Sequence, residues 1–144
     1  EDPHRKAGSR TARKAGRSCR ITGVELNASA VKDAIGNAAL NKLDNIRFTC
    51  ADAGDFMTEL AARRERADVV FMDPPRTGSD TRFLSCLTRL APSRIVYISC
   101  GPDTLARDLK YLTRKGYAVE RMTGVDLFPM TKHCECVVKL VRNK

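Results

Sequence analysis

Beyond Arg20 the apolar positions fall into short runs separated by stripes at i, i+3, i+4 spacing, the pattern of strands alternating with helices. Ile21-Thr22-Gly23-Val24 predicts a short strand ending at Glu25. Ser29 is placed to cap a helix whose apolar face is Val31, Ala34, Ile35, Ala38 and Ala39. Ile46-Arg47-Phe48-Thr49-Cys50 predicts a second strand, ending at Asp52, and a helix follows through Phe56, Met57, Leu60 and Ala61. Ala67-Asp68-Val69-Val70-Phe71-Met72 reads as a central parallel strand buried on both faces. Next come a helix over about Asp80–Leu90 and a buried strand at Arg94–Ser99. A further helix starts at Asp103 or Thr104, runs through Leu105, Leu109 and Leu112, and is stopped by Gly116. Two longer strands, roughly Tyr117–Leu127 and Cys134–Val141, are close enough to pair and would add an antiparallel edge. Strand–helix alternation with right-handed crossovers predicts an α/β fold, a Rossmann-like and mostly parallel sheet with an antiparallel strand pair at its end.

A chain of 144 residues is one domain or a piece of one. No apolar run approaches the roughly 20 residues that cross a bilayer, and no signal peptide opens the sequence, so the cytoplasm is the expected compartment. The formal charge of +9 suits a polyanionic partner, because each neutralised phosphate releases counterions. Its distribution weakens that inference: residues 1–20 hold seven basic and two acidic side chains, over half of the excess, and a solvated basic surface explains it equally well. Residues 1–19 show no periodicity and are expected to be a disordered or non-family segment ahead of a domain over 20–144. The six cysteines form no C-x-x-C pair and no zinc-like spacing with histidine, so no metal is expected and most should be small reduced core residues.

In an open parallel sheet, ligands collect beyond the carboxyl ends of the strands. The residues delivered there are Glu25, Asp52, Asp73 and Cys100, three acids and a thiol, each shortly after an apolar strand. Glu25 fits an acceptor for ribose hydroxyls, or else a carboxylate favoured at a helix start. Asp52 fits a contact near an adenine ring, or an ordinary helix cap. Both suit a nucleoside-bearing cofactor, and position alone does not separate NAD from S-adenosylmethionine. In Asp73-Pro74-Pro75-Arg76-Thr77-Gly78 two prolines stiffen the exit from the strand, fixing Asp73 and Arg76 in place as a site requires; the plainer alternative is a proline-rich turn. Cys100 stands between a buried strand and a helix start, a setting that favours anions and therefore a nucleophilic cysteine over a merely buried one. Gly101 allows close backbone approach and Pro102 suits a first helical turn. Asp126, His133 and Glu135 flank the loop between the last two strands, where a carboxylate has access to the sheet edge as a general base.

These segments together resemble the RNA (uracil-5)-methyltransferase family. The matching stretches are Gly23-Val24-Glu25, the helix carrying Asn37 and Asn41, Asp73-Pro-Pro-Arg-x-Gly78, Ile95-Val-Tyr-Ile-Ser-Cys100-x-Pro102, Thr104-Leu-Ala-Arg-Asp108 and Asp126-x-Phe-Pro-x-Thr-x-His133-x-Glu135, in family order. The resemblance implies an S-adenosylmethionine-dependent methyltransferase fold and methylation of uracil C5 in RNA, with 23S ribosomal RNA the nearer match and transfer RNA the other. It implies that Cys100 adds to C6 of the uracil, that Glu135 removes the C5 proton, and that Glu25, Asp52 and Asp73 contact the cofactor. A base within folded RNA has to be flipped out to reach such a site, at a cost of a few kcal/mol. A monomer with RNA as its partner, no metal and no membrane is the expected working form. A catalytically inactive RNA-binding remnant is the alternative, and a Rossmann enzyme using NAD is disfavoured because hydride transfer leaves Cys100 and Glu135 without a task.

The sequence departs from the family pattern in places. Gly101 stands where a small polar residue is expected, and Met130 and Cys134 are unusual in the last motif. The family's glycine-rich strand–loop–helix, which receives the methionine part of the cofactor, belongs just before Gly23. Residues 1–20 offer only Gly8 and Gly16 and no apolar strand, so the first strand and its loop are expected to be missing.

Overall fold

The computed structural model describes residues 19–131 and 133–143, so all of the basic front except Cys19 lies outside the described residues. Contacts divide the chain into two compact units that meet between Ala53 and Gly54.

In the first unit, β1 (Ile21–Glu25) and β2 (Ile46–Cys50) pair in parallel, with Ile21 opposite Ile46 and Glu25 opposite Cys50, and α1 (Ala28–Leu40) makes the crossover. Phe48 lies across Gly23, where a Cβ would stand 2.6 Å from its ring, so β1 needs glycine at that rung. The cap of α1 is Asn27 rather than Ser29. Its Oδ1 accepts from the amides of Ser29 (2.9 Å) and Ala30 (3.3 Å), satisfying two groups that the helix leaves open, while Ser29 already sits inside the first turn. The buried stripe of α1 is also narrower than expected. Val31 is buried and Ala34 and Ala38 half-buried, but Ile35 is 53% exposed, because a two-stranded ribbon is too narrow to cover the full stripe.

The second unit follows with α2 (Ala53–Ala62), β3 (Val69–Met72), α3 (Thr81–Leu90), β4 (Arg94–Ser99), α4 (Pro102–Arg114), β5 (Tyr117–Val125) and β6 (Glu135–Arg142). Its sheet runs β3-β4-β6-β5, with β3 parallel to β4 and β6 antiparallel to both neighbours. The terminal pair is antiparallel as expected, with β6 inserted between β4 and β5 and leaving β5 outermost. On one face, Ile95, Tyr97, Val138 and Leu140 are fully buried and pack with Leu87 of α3 and Leu112 of α4. Each such side chain contributes roughly 1.5–3 kcal/mol by leaving water.

Two expectations change here. β3 is a four-residue strand at the end of this sheet, not a strand buried on both faces. Only β4 pairs with it among the described residues, and its two faces differ: Met72 is buried, whereas Phe71 is 73% exposed. Helix α4 begins at Pro102, with Gly101 as the cap, rather than at Asp103 or Thr104. Proline lacks the amide that a first turn leaves unbonded, and the Thr104 hydroxyl is engaged elsewhere, as described below.

Candidate active site at the ends of the second-unit strands

The segment leaving β3 folds back at once. A bond from the Gly78 amide to the Pro75 carbonyl (2.8 Å) closes a turn, and Gly78 adopts φ +74°. A Cβ there would meet Arg107 Nη2 at 2.6 Å and Asp108 Oδ2 at 2.8 Å, so both conformation and space demand glycine. The neighbouring α4 holds this turn from three adjacent positions. The Thr104 hydroxyl donates to the Arg76 carbonyl (2.9 Å). Arg107 Nη2 donates to the carbonyls of Thr77 and Ser79, both at 3.0 Å. Asp108, fully buried, accepts from the Ser79 amide (2.8 Å) and the Tyr97 hydroxyl (2.7 Å) through Oδ2, and from Arg107 Nε (2.9 Å) through Oδ1. The proline-stiffened exit of β3 is thereby strapped to the helix that starts beside Cys100.

Sequence reasoning matched the Thr104–Asp108 stretch to a family without giving it this role. The available signal was Asp108 itself, a carboxylate on the stripe of Leu105 and Leu112, where an acid occurs only with partners.

Burial, followed by the hydrogen bond to Asp108 and its charge, raises the Tyr97 hydroxyl far above the ordinary tyrosine value of about 10. The native state therefore keeps this proton where an unfolded chain releases it. Its contribution is complete below about pH 10 and is lost as pH rises beyond, at up to about 1.4 kcal/mol per pH unit. Tyr97→Phe is accordingly expected to flatten the alkaline limb of a stability-against-pH curve above pH 10, measured by denaturant titration. An unchanged limb would remove Tyr97 from that linkage.

Cys100 follows β4 directly and is half-buried. The hydroxyl of buried Ser99 bridges the Gly101 amide and carbonyl, both at 3.1 Å, fixing the peptide beyond the cysteine at the start of α4. Glu135, also half-buried, is the first residue of β6 and pairs with Val125. The antiparallel register pairs Ser99 with Cys136, so Cys100 follows the last rung of that ladder on β4 and Glu135 precedes it on β6. The thiol and the carboxylate, remote in sequence, thus each adjoin the Ser99–Cys136 rung at the carboxyl end of β4, the end at which β3 delivers exposed Asp73. Of the other polar candidates at the loop, Asp126 Oδ1 accepts from the Phe128 amide (3.2 Å) and shapes a turn, while the His133 ring stands edge-on to Phe128.

The remaining two predicted residues belong to the first unit. Glu25 ends β1, exposed, and its Oε1 accepts from the Asn27 amide (2.7 Å). Asp52 is exposed between β2 and α2. Among the described residues no group of three or more His, Cys, Asp or Glu is disposed to hold a metal, and no helix is long and apolar enough to cross a membrane.

Comparison with known proteins bears directly on this edge. A family model described as tRNA (Uracil-5-)-methyltransferase matches residues 7–143. The chain belongs to this family. Among its relatives, an uncharacterized RNA methyltransferase of Geobacter sulfurreducens is 44% identical over 128 residues, 89% of this chain and 26% of the relative. Another from Streptococcus mutans is 42% identical over 122 residues, 85% of this chain and 27% of the relative. The chain thus spans about a quarter of the length of the curated relatives it matches. The crystal structure of Pyrococcus abyssi tRNA (uracil-54, C5)-methyltransferase in complex with S-adenosyl-L-homocysteine aligns with TM-score 0.71 and 36% identity, over 85% of this chain and 29% of that one. A Streptococcus thermophilus rRNA methylase, at 7% identity and TM-score 0.66 over 87% of this chain, shares the fold alone. The α/β fold expected from the strand–helix alternation, and the methyltransferase fold that the resemblance implies, are the fold of these neighbours.

Proposed function

We propose that this protein methylates C5 of uridine in RNA, with S-adenosylmethionine as methyl donor and a covalent cysteine adduct on the way. What supports the reading is that Cys100 and Glu135 each adjoin the Ser99–Cys136 rung of the β4–β6 ladder. Neutral uracil is a poor carbon nucleophile at C5. Addition of the Cys100 thiolate to C6 places the electron pair on C5 and its conjugated carbonyl, ready to take an electrophilic methyl group. The cofactor supplies that methyl group when bound. Glu135 then takes the C5 proton, the C5–C6 double bond re-forms, and the Cys100 sulfur leaves as thiolate, so the enzyme is regenerated without redox change.

For the cofactor, Glu25 is suited to the ribose: it is exposed, and among the described residues only its Oε1 is engaged, leaving an oxygen for a hydroxyl. Asp52 is assigned to the adenine end and Asp73, on the rigid exit of β3, to the reacting end. Ribosomal RNA, and 23S RNA in particular, is the proposed substrate, acted on by a monomer in the cytoplasm.

The test is incubation of the chain with S-adenosylmethionine and RNA carrying 5-fluorouridine, whose fluorine does not leave as a proton. A protein–RNA band that survives denaturing electrophoresis is expected, and Cys100→Ala should abolish it. Transcripts of 23S RNA and of transfer RNA, run in parallel, decide the RNA class. A chain that is folded and binds S-adenosylhomocysteine by calorimetry, yet forms no band with either RNA, would overturn the reading.

A further inference from the structure

The loop between β5 and β6 carries a feature that the reaction above does not use. The amide of Thr131 bonds to the Phe128 carbonyl (3.2 Å), closing a β-turn over Phe128-Pro129-Met130-Thr131. Proline in the second position and φ +67° at Met130 in the third give the type II form, whose third residue is ordinarily glycine. The turn is braced from both sides. The Thr131 hydroxyl donates to the Phe128 carbonyl (2.7 Å) and accepts from the His133 amide (3.2 Å), while Asp126 accepts from the Phe128 amide (3.2 Å). This rigid turn holds apolar side chains out in water: Leu127 is 60% exposed, Phe128 52% and Met130 103%. A single exposed apolar residue is unremarkable, but three within four positions, one of them in a backbone conformation that disfavours its side chain, contribute nothing to this fold.

The place of the turn gives it a use. Its stem closes at the pair Val125–Glu135, so it projects from the residue next to Cys136, whose partner Ser99 immediately precedes Cys100. Attack at C6 requires a uracil withdrawn from its stack, which leaves a gap and an uncovered base in the RNA. Apolar side chains inserted into such gaps offset the unstacking, and methionine, soft and unbranched, adapts to any base face. Resting on the methyltransferase reading, we propose that Met130 and Phe128 form a wedge that enters the RNA beside the target uridine and stacks on the base left uncovered.

The test compares wild-type chain with Met130→Gly and Phe128→Ala for binding to two RNAs, a stem–loop with uridines in its loop and an unstructured oligouridine, alongside thermal unfolding. Glycine suits φ +67°, so Met130→Gly should unfold at the same temperature as wild type or higher. Its affinity for the stem–loop should nevertheless fall about tenfold, the scale of one lost base–side-chain stack. Affinity for oligouridine, which has no stack to open, should change less than twofold. Equal stem–loop affinity of Met130→Gly and wild type overturns the wedge, as does an equal loss on both RNAs or a lowered unfolding temperature without a change in affinity. Should Phe128→Ala fail to fold, Met130→Gly, whose side chain is fully exposed, decides alone. Trapping by the 5-fluorouridine transcripts of 23S RNA and transfer RNA in the same samples separates the two ideas: its absence with both in wild type removes the methyltransferase reading, while the affinities still decide the wedge.

Discussion

Asp108→Ala is expected to destabilise the second unit by about 2–4 kcal/mol, because removing a fully buried acceptor leaves the donors it satisfies without a partner. Three donors lose their acceptor together: the Ser79 amide, the Tyr97 hydroxyl within the core, and Arg107. Asp108→Asn keeps an oxygen for two of them and should lose about half as much. Arg107→Ala should lose less again, since that guanidinium is largely exposed and its ion pair is weakened by water. Denaturant unfolding followed by circular dichroism measures the series. An Asp108→Ala midpoint matching that of Arg107→Ala would mean that the carboxylate is not the centre of the strap. Because the strap also fixes the turn after Asp73, trapping of RNA should slow in Asp108→Asn even where the protein remains folded.

Glu135→Gln carries the largest expected effect on the chemistry. The amide does not accept the C5 proton, so turnover should fall by about 10²- to 10⁴-fold, the usual contribution of a positioned base. The loss has a signature that distinguishes it from a failure to bind. On ordinary uridine-containing RNA the variant should accumulate a methylated covalent complex that wild type resolves too quickly to show. Mass spectrometry of the intact protein after mixing would reveal that mass increment. Turnover within tenfold of wild type, without accumulation, would assign the proton to another group, with Asp126 the next carboxylate on the loop.

Local pattern made much of this molecule legible. The strands ending at Glu25, Cys50, Met72 and Ser99 follow from short apolar runs, and Cys100 could be singled out because a strand end and a helix start flank it in sequence. What remained hidden depends on partners distant along the chain. Two adjacent capping residues, Asn27 and Ser29, compete for one helix start, and only the bond from Asn27 to Glu25 shows which is held in place. The exposure of Phe71 depends on what covers that face of β3, a property of the packing and not of the run itself. Asp108 is legible in the sequence only as the end of a matching stretch, because the groups it accepts from, Ser79 and Tyr97, lie far from it along the chain. That Cys100 and Glu135 both adjoin the Ser99–Cys136 rung is a matter of register, and register is fixed only when β6 meets β4.

The position of β6 also sets an order of events during synthesis. β4 and β5 emerge earlier but have no ladder with each other; both wait for the strand that comes between them. Long-range pairing of this kind is slow and leaves an unpaired edge available to other chains in the meantime. A ribosome that stops between Val125 and Glu135 would release a polypeptide that already carries Cys100 but neither Glu135 nor the strand that lies between β4 and β5. Since β6 supplies both, a chain of this kind gains Glu135 and covers the exposed edge of β4 in a single event.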